Sequence, residues 1–412
     1  MVAQRSPYAA AKSSTAKYQA ILNAVCRDGR VRGSLRYHGA STGRWAGSGM
    51  QPQNFPRILD HDAVATTLDI LREINDPTEA CDAIALFVGE PMSALSRCLR
   101  AMIVSALGKR LVGADYSNIE GRVNAWLAGE QWKVDAFRLF DEGVGDDLYK
   151  LAYGRSFDIP ASDVSKDQRQ IGKVMELSMG YQGGWRAFEK MGANYGITVG
   201  KDRAEELKVA WREAHPAIQQ SWWSLQQAAI DAVMNPGITV PVLSGRIAYK
   251  VAHGFLWCQL PSKRTLSYAA PRIVWVVRDG NFVERGSFSD KAKAEAYVDE
   301  KVERVSWSVR PQVEFDGVDS TTKKWSKQRL YGGLQCENVV QAISRDILVD
   351  AMLRLEEAGY PIVLTVHDEI MSEVPDGFGS REEFVALMSV VPAWAAGLPV
   401  AVAAWEDVRY GK

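Results

Sequence analysis

Leu111-Val112-Gly113-Ala114-Asp115-Tyr116-Ser117-Asn118-Ile119-Glu120-Gly121-Arg122 is the stretch on which the reading of the fold turns. Its first four residues are a short apolar run, read as a buried strand that delivers Asp115 at its end. A helix is expected to follow, over 118–129. Far along the chain, Ile362-Val363-Leu364-Thr365-Val366 repeats the pattern and delivers His367-Asp368-Glu369. An unpaired carboxylate at the end of a buried strand is costly, and a divalent cation offsets that cost. Two aspartates on adjacent strands can hold two ions about 3.5–4 Å apart, the arrangement that clamps both reacting oxygens in phosphoryl transfer. Either residue alone reads equally well as a cap on a turn or helix.

Outward from these strands, residues 130–235 are mainly helical, with interruptions near Gly143, Pro160, Gly183, Gly200 and Pro216 and a stop at Asn235-Pro236-Gly237. From 238 to 332 the pattern is strands. Apolar residues on both sides of Arg278-Asp279-Gly280-Asn281 signal a hairpin there. A long helix is expected over about 337–357, ending at Gly359. Upstream, residues 8–27 read as an amphipathic helix, 30–57 as short strands and loops, and 62–75, 78–87 and 91–107 as helices. The expected architecture is α/β (α+β), one mixed sheet interrupted by a helical subdomain.

The chain has 412 residues, 47% hydrophobic and 24% charged, with a net charge of −1. That is ordinary globular composition and excludes disorder, collagen and a disulfide scaffold. No apolar run approaches the ~20 residues of a membrane span, and the first residues lack a signal peptide's apolar core. A cytoplasmic protein is expected. Five scattered cysteines with no Cys-x-x-Cys pair predict idle thiols, neither a disulfide frame nor a zinc site. The near-zero charge leaves no basic footprint, though acidic residues elsewhere can offset a basic cleft.

Two further constellations carry chemistry. In Arg169-Gln170-Ile171-Gly172-Lys173-Val174-Met175-Glu176-Leu177-Ser178-Met179-Gly180-Tyr181, four residues recur at steps of four: Arg169, Lys173, Leu177 and Tyr181. On a helix they share one broad face. Two cations one turn apart can grip a polyphosphate, and the apolar and aromatic residues beyond them can meet a base. A solvated cationic face is the plainer alternative. Thr42-Gly43-Arg44, followed by Gln53-Asn54-Phe55-Pro56, offers minor-groove donors that test duplex shape without reading sequence. Other signals fail. Gly196-Ile197-Thr198-Val199-Gly200-Lys201 departs from a phosphate loop and reads as a turn between helices. Trp222 and Trp223 read as core, and His38, His61, His215 and His253 show no metal-ligand spacing.

In this order the constellations resemble the polymerase domain of family A DNA polymerases, the DNA polymerase I type. Asp115 to Arg122 resembles motif A, Arg169 to Tyr181 motif B and Val366 to Glu369 motif C, with Glu337 to Gln341, Arg345 and Asp346 similar to the helix before motif C. Trp325, Tyr331-Gly332-Gly333, Trp405-Glu406 and Tyr410-Gly411-Lys412 are similar to bacteriophage and prophage members. The resemblance implies a right-hand polymerase fold: a remnant thumb helix over 1–41, a palm over 42–129 and 241–412 with a mixed or antiparallel sheet, and a large helical fingers insertion over 130–240. It implies template-directed addition of deoxynucleotides to a primer 3′-hydroxyl, with release of pyrophosphate.

By resemblance, Asp115 and Asp368 hold two Mg²⁺ ions (Mn²⁺ being a substitute), with the Tyr116 carbonyl assisting and Glu369 supporting. Arg169 and Lys173 grip the triphosphate, and Lys173 protonates the departing pyrophosphate. Tyr181 lies beside the templating pair, and Glu120 is the gate against a ribose 2′-hydroxyl. Tyr149 stands where the family usually has His, and Leu177 where it has Phe or Tyr. Arg44, Gln53, Asn54, Gln341, Arg345 and His367 contact the DNA primer–template. The short stretch before Thr42 implies a truncated thumb, no proofreading in this chain, weak DNA binding and low processivity, with a separate chain as a candidate source of thumb, exonuclease or processivity function. The setting implied is the cytoplasm of a bacterial host, with a phage or prophage gene and no membrane partner. Rival readings are a non-catalytic nucleic-acid-binding remnant, one part of a split polymerase, a metal-dependent nuclease and a single-subunit RNA polymerase.

Overall fold

A computed structural model describes residues 7–279, 283–300, 306–319 and 322–411. The chain forms two compact units, one of Met1–Ile119, Ser344–Pro392 and Val400–Lys412, the other of Glu120–Ile343 and Ala393–Pro399.

The first unit opens with α1 (Pro7–Ala24) and the paired short strands β1 (Leu35–Arg36) and β2 (Ala46–Gly47). Helices α2 (His61–Glu73), α3 (Pro77–Phe87) and α4 (Pro91–Cys98) follow. Asp60, Asp76 and Glu90 cap them by accepting from first-turn amides, and α3 and α4 each begin with proline. The helix expected over 91–107 stops early. After a 3₁₀ turn at Arg100–Met102, the Ile103 carbonyl accepts from Tyr410 N (2.9 Å) and Val104 bridges Arg409. Tertiary pairing overrides local helix preference there. Next comes β3 (Lys109–Tyr116).

The second unit contains most of α5 (Ile119–Ala128), then α6 (Gln131–Asp141), α7 (Leu148–Phe157), α8 (Lys166–Met179), α9 (Trp185–Ala193), α10 (Lys201–Ala214) and α11 (Pro216–Met234). Strands β4 (Thr239–Val242), β5 (Ile247–Ala252), β6 (Phe255–Gln259), β7 (Thr265–Arg278) and β8 (Glu284–Phe288) lead to α12 (Lys291–Asp299), then β9 (Ser308–Val318) and β10 (Trp325–Leu330). The expected hairpin is present as the antiparallel β7–β8 pair, though Gly280 and Asn281 of its turn lie outside the described residues. Helix α12 was not anticipated among the strands. Its Lys/Ala/Glu-rich sequence and the Asp290 cap are local helix signals that the strand pattern around it masked. Trp222 is buried as expected, whereas Trp223 is half exposed.

Helix α13 (Gly332–Glu357) begins ahead of the expected 337. Gly332 and Gly333 act there as close-contact residues, not breakers: a Cβ would lie 2.1 Å from the Trp222 carbonyl oxygen and 2.3 Å from that of Tyr181. From Ser344, within α13, the chain is again in the first unit, where β11 (Ile362–Val366), β12 (Glu369–Pro375), α14 (Arg381–Ser389) and β13 (Val402–Asp407) follow.

The single mixed sheet is corrected. Among the described residues, β11-β12-β3-β13 form one antiparallel sheet in the first unit, and β4 to β10 form a separate antiparallel sheet in the second. Strands joined by short connections pair with their chain neighbours, so β4 to β10 form a sheet of their own. One face of the first sheet carries a core of Leu111, Leu364, Val366, Met371 and Tyr410. All five cysteines are free thiols, as expected. Among the described residues no helix is long and apolar enough to cross a membrane.

Candidate active site

In the first unit, β3 and β12 run antiparallel with Glu369 opposite Asp115. A two-residue turn, His367-Asp368, joins β11 to β12, closed by the Val366–Glu369 pair. His367 takes the left-handed conformation, φ 56°, which a non-glycine residue adopts at a cost and which is common at functional turns. Tyr116 N donates to the Asp368 carbonyl at 3.2 Å. The ladder thus brings Asp115 and Asp368 to the same end of one sheet, each half-buried. Tyr116 turns its hydroxyl inward, donating to the Met388 carbonyl at 2.8 Å.

Glu369 points into the protein and is 4% exposed. One carboxylate oxygen accepts from Trp405 Nε1 at 2.7 Å and the other from the Tyr410 hydroxyl. That hydroxyl in turn accepts from Arg100 Nη1 at 3.0 Å. Burial, and then the Glu369 charge, push the Tyr410 phenol far above its usual range, so it stays a donor. Trp405 lies over Gly113, where a Cβ would come within 2.5 Å of the indole. The glycine inside the quoted stretch is the space that this ring fills.

Arg44 Nη2 lies 3.3 Å from Asp368 Oδ1, both side chains about a quarter exposed. The Gly43 carbonyl accepts from Arg345 Nε at 3.1 Å. Arg345 itself is buried, paired with Asp346 and set over the rings of Trp45 and Tyr37. Its guanidinium is committed inside the protein, so what it supplies is the position of Gly43 and Arg44. Gln53 Nε2 donates to the Thr365 carbonyl (3.5 Å), Asn54 Nδ2 donates to Gln51 Oε1 (2.9 Å), and His367 Nε2 lies 3.2 Å from the Gln53 carbonyl. Arg44, Gln53, Asn54, His367 and Asp368 line a cavity of about 180 Å³.

Among the described residues no cluster of three or more carboxylate, imidazole or thiol groups forms a ready ligand set. The donors at this sheet end are hard oxygens from two aspartates. That suits a Mg²⁺-type ion, which keeps several waters and takes one or two carboxylates together with substrate phosphates.

In the second unit, a Ser165–Gln168 capping box starts α8. Arg169 Nη2 pairs with Asp147 Oδ2 at 2.8 Å and its guanidinium lies 5.3 Å from the Tyr149 ring centre. Asp147 also caps α7, accepting from Tyr149 N and Lys150 N at 3.0 Å each. Burial opposes its ionisation, but Arg169 and the two amides prevail and hold the carboxyl below its usual range. Lys173 Nζ lies 4.4 Å from the Tyr195 ring centre and 6.0 Å from that of Tyr149. Gly172 lets α8 approach α7, since a Cβ would be 2.2 Å from the Tyr149 carbonyl oxygen. Leu177 is 40% exposed on α8.

Just past α8, the Tyr181 hydroxyl donates to Glu120 Oε2 at 2.9 Å. Burial and the Glu120 carboxylate push this phenol well above its usual range. The turn is pinned at Gly180, whose carbonyl accepts from Asn124 Nδ2 (3.2 Å) and Trp222 Nε1 (3.1 Å). Gln341, on α13 in this unit, donates to Glu337 Oε1.

Several residues were missed in the sequence. Glu176, on the inner face of α8, accepts from Lys133 Nζ and from Trp211 Nε1 (2.8 Å), and lies 3.2 Å from His215 Nε2. A signal existed: Glu176 falls at helical spacing from buried Gly172 and Met179. Asp147 was detectable as a cap before an apolar run. Tyr195 had no local signal. The segment 196–201 is confirmed as a turn, because the Val199 and Gly200 amides donate to Glu189 Oε1 at 3.2 and 3.0 Å, where a phosphate would otherwise sit.

The family model for DNA polymerase family A matches residues 6–246. The chain is 35% identical over 407 residues to a DNA polymerase of Bacillus phage SP02, covering 98% of this chain and 56% of that protein. It is 25% identical over 226 residues to DNA polymerase I of Mycobacterium tuberculosis, covering 55% of this chain and 20% of that one. Its fold is similar to the POL domain of Pol1 from M. smegmatis, solved in complex with DNA primer-template and dNTP. That likeness has a TM-score of 0.55 and 16% identity and covers 97% of this chain and 51% of that one. The chain therefore spans about half the length of the phage relative and of the solved chain. With a family match over more than half of its residues and a mixed α+β fold of the same kind, the chain belongs to DNA polymerase family A.

Proposed function

We propose that this chain is a template-directed DNA polymerase, adding deoxynucleotides to a primer 3′-hydroxyl and releasing pyrophosphate. The observation that carries the reading is the β3–β12 register, which brings Asp115 and Asp368 to one sheet end beside the Arg44 guanidinium. Family membership implies use of a divalent metal ion. When bound, two Mg²⁺ ions (or Mn²⁺ in substitution) would lower the pKa of the primer hydroxyl and neutralise the triphosphate.

The residues then take these roles. Asp115 and Asp368 would hold the metal with the Tyr116 carbonyl assisting, and buried Glu369 braces β12 through Trp405 and Tyr410. Arg169 engages phosphate oxygens with its remaining donors while Asp147 fixes its orientation. Lys173 holds the triphosphate and donates its own ammonium proton to pyrophosphate as it leaves, to be re-protonated from solvent. Tyr149 backs both cations. Tyr181 lies beside the templating pair, Leu177 presents an apolar surface under the incoming sugar, and Glu120, held by the Tyr181 hydroxyl, crowds a 2′-hydroxyl. Arg44, Gln53, Asn54, Gln341 and His367 meet the primer–template, with Arg345 shaping the Gly43–Arg44 loop. We assign the β3-containing sheet to the palm and helices α6 to α11 to the fingers. The proposed substrates are a DNA primer–template and deoxynucleoside triphosphates, and the proposed place is the cytoplasm of a bacterial host.

The test is Mg²⁺-dependent extension of a labelled primer on a DNA template, beside Asp115→Ala. Extension by the wild type that vanishes in the variant supports the reading. DNA binding without extension, at high protein and low salt, overturns it in favour of a binding module or one part of a split polymerase. Cleavage of DNA without nucleotides would point to a nuclease, and preference for ribonucleotides to an RNA polymerase.

A further inference from the structure

Lys173 and Arg169 stand one turn apart on α8, yet the protein restrains them by different chemistry. Arg169 is held by a carboxylate, Asp147, as well as lying 5.3 Å from the Tyr149 ring centre. Lys173 is held by aromatic faces: Nζ lies 4.4 Å from the Tyr195 ring centre and 6.0 Å from Tyr149. A carboxylate orients a cation but offsets its charge. An aromatic face attracts the cation through the ring quadrupole and leaves the charge intact for another partner. The lysine stem is flexible, so an ammonium held in advance gives up less freedom when a polyanion binds.

The Tyr195 ring is presented by a tightly built turn. Tyr195 N donates to the Gly192 carbonyl at 2.8 Å and Ile197 N donates to the same oxygen at 2.9 Å. Gly196 takes φ 71°, and a Cβ on Gly192 would lie 2.6 Å from the Ile197 carbonyl oxygen. Beyond Thr198, the Glu189 carboxylate accepts from the Val199 and Gly200 amides. The segment that resembles a phosphate loop in sequence thus has its Gly196, Ile197, Val199 and Gly200 amides occupied, and its first residues hold a tyrosine over the neighbouring lysine. Tyr195 remains 39% exposed, as a ring flanking an open site would be.

We propose that Tyr195 is a positioning residue of the triphosphate site, holding the Lys173 ammonium in place for the incoming nucleotide without bringing a counter-charge to it. This rests on the polymerase reading above. The ring, not the hydroxyl, carries the effect, so phenylalanine rescues what leucine loses.

The experiment measures equilibrium binding of dATP, with Mg²⁺, to the full chain on a primer–template whose primer ends in a dideoxynucleotide and whose next template base is thymine. Tyr195→Leu is expected to weaken dATP binding by about 3- to 10-fold with primer–template affinity unchanged, and Tyr195→Phe to recover most of it. In a Lys173→Met background, Tyr195→Leu should add no further loss. Wild-type dATP affinity in Tyr195→Leu, an equal loss in Tyr195→Phe, or full additivity with Lys173→Met would each overturn the proposal and leave the polymerase reading standing. A wild-type chain that binds no dATP and extends no primer would overturn both.

Discussion

The two units of this chain hold their charged residues by opposite means. In the first, Asp115 and Asp368 stand at strand ends, brought together by the β3–β12 ladder and braced from behind by the buried Glu369–Trp405–Tyr410–Arg100 chain. In the second, Arg169 and Lys173 lie on one helix, spaced by the helix itself and steadied by Asp147 and two tyrosine rings. Like charges brought to one sheet end repel and need a fixed sheet and turn to hold them there. Cations a turn apart need only a straight helix whose inner face is anchored. Each unit is therefore vulnerable at a different point: the first through strand register, the second through the roll of α8.

The sharpest way to break the first half of the comparison is Asp368→Asn. It should lower single-turnover primer extension on the order of a thousandfold or more, since stabilisation worth several kcal/mol is lost. The circular dichroism spectrum should not change, because the turn keeps its backbone. Near-normal extension would show that the two strand-end carboxylates do not form one working pair.

For the second unit, Glu176→Gln leaves the Lys133 ammonium buried without its counter-charge, a loss of about 3–5 kcal/mol in urea unfolding. The double change Glu176→Leu with Lys133→Met should recover much of that stability. The same cluster gives a pH dependence. Burial opposes ionisation of Glu176, but Lys133 and then His215 hold its carboxyl far below its ordinary 4.5. Its stabilisation is complete above about pH 4.5 and is lost as pH falls. Burial, with Lys133 adding, holds His215 below its ordinary 6.5 against the pull of Glu176, so the neutral form is favoured and stability falls as pH drops through 6.5. Both signs agree. The urea midpoint followed by tryptophan fluorescence should be lower at pH 5 than at pH 7.5, and His215→Phe should flatten that slope. A flat profile in the wild type would remove this cluster as the anchor of α8.

Gly113→Ala tests the brace in the first unit. Its Cβ would enter the Trp405 indole, and the overpacking should cost about 1–3 kcal/mol, read as a shifted urea midpoint with reduced extension. The smallest expected effect is on sugar choice. Glu120→Ala should relax discrimination between dATP and ATP about 10-fold, read as the ratio of kcat/KM values. An unchanged ratio would remove Glu120 from the gate while leaving both halves of the comparison intact.

How far each half was legible follows from the range of its interactions. The α8 face was readable because a step of four residues on a helix is a local rule. The Asp60, Asp76 and Glu90 caps and the hairpin flanks around 278 obey rules equally local. The apolar runs before Asp115 and Asp368 marked both as strand ends. The division of the strands into two sheets was not readable, because β pairing is chosen among all available edges. Helix α12, hidden among strands, shows that a broad pattern can mask a short local signal.

Periodicity and side-chain chemistry in the sequence were enough to specify which residues carry charge, which face of α8 holds cations, and that two apolar strands each deliver an aspartate. Packing and register, not local pattern, bring Asp115 and Asp368 to the same sheet end, spend Glu369 on Trp405 and Tyr410, place Arg345 inside, and set Tyr195 facing Lys173. The physical reason is that each of these depends on contacts between residues from different elements. Such contacts are fixed by packing and strand register, and neither leaves a trace in the spacing of neighbouring residues.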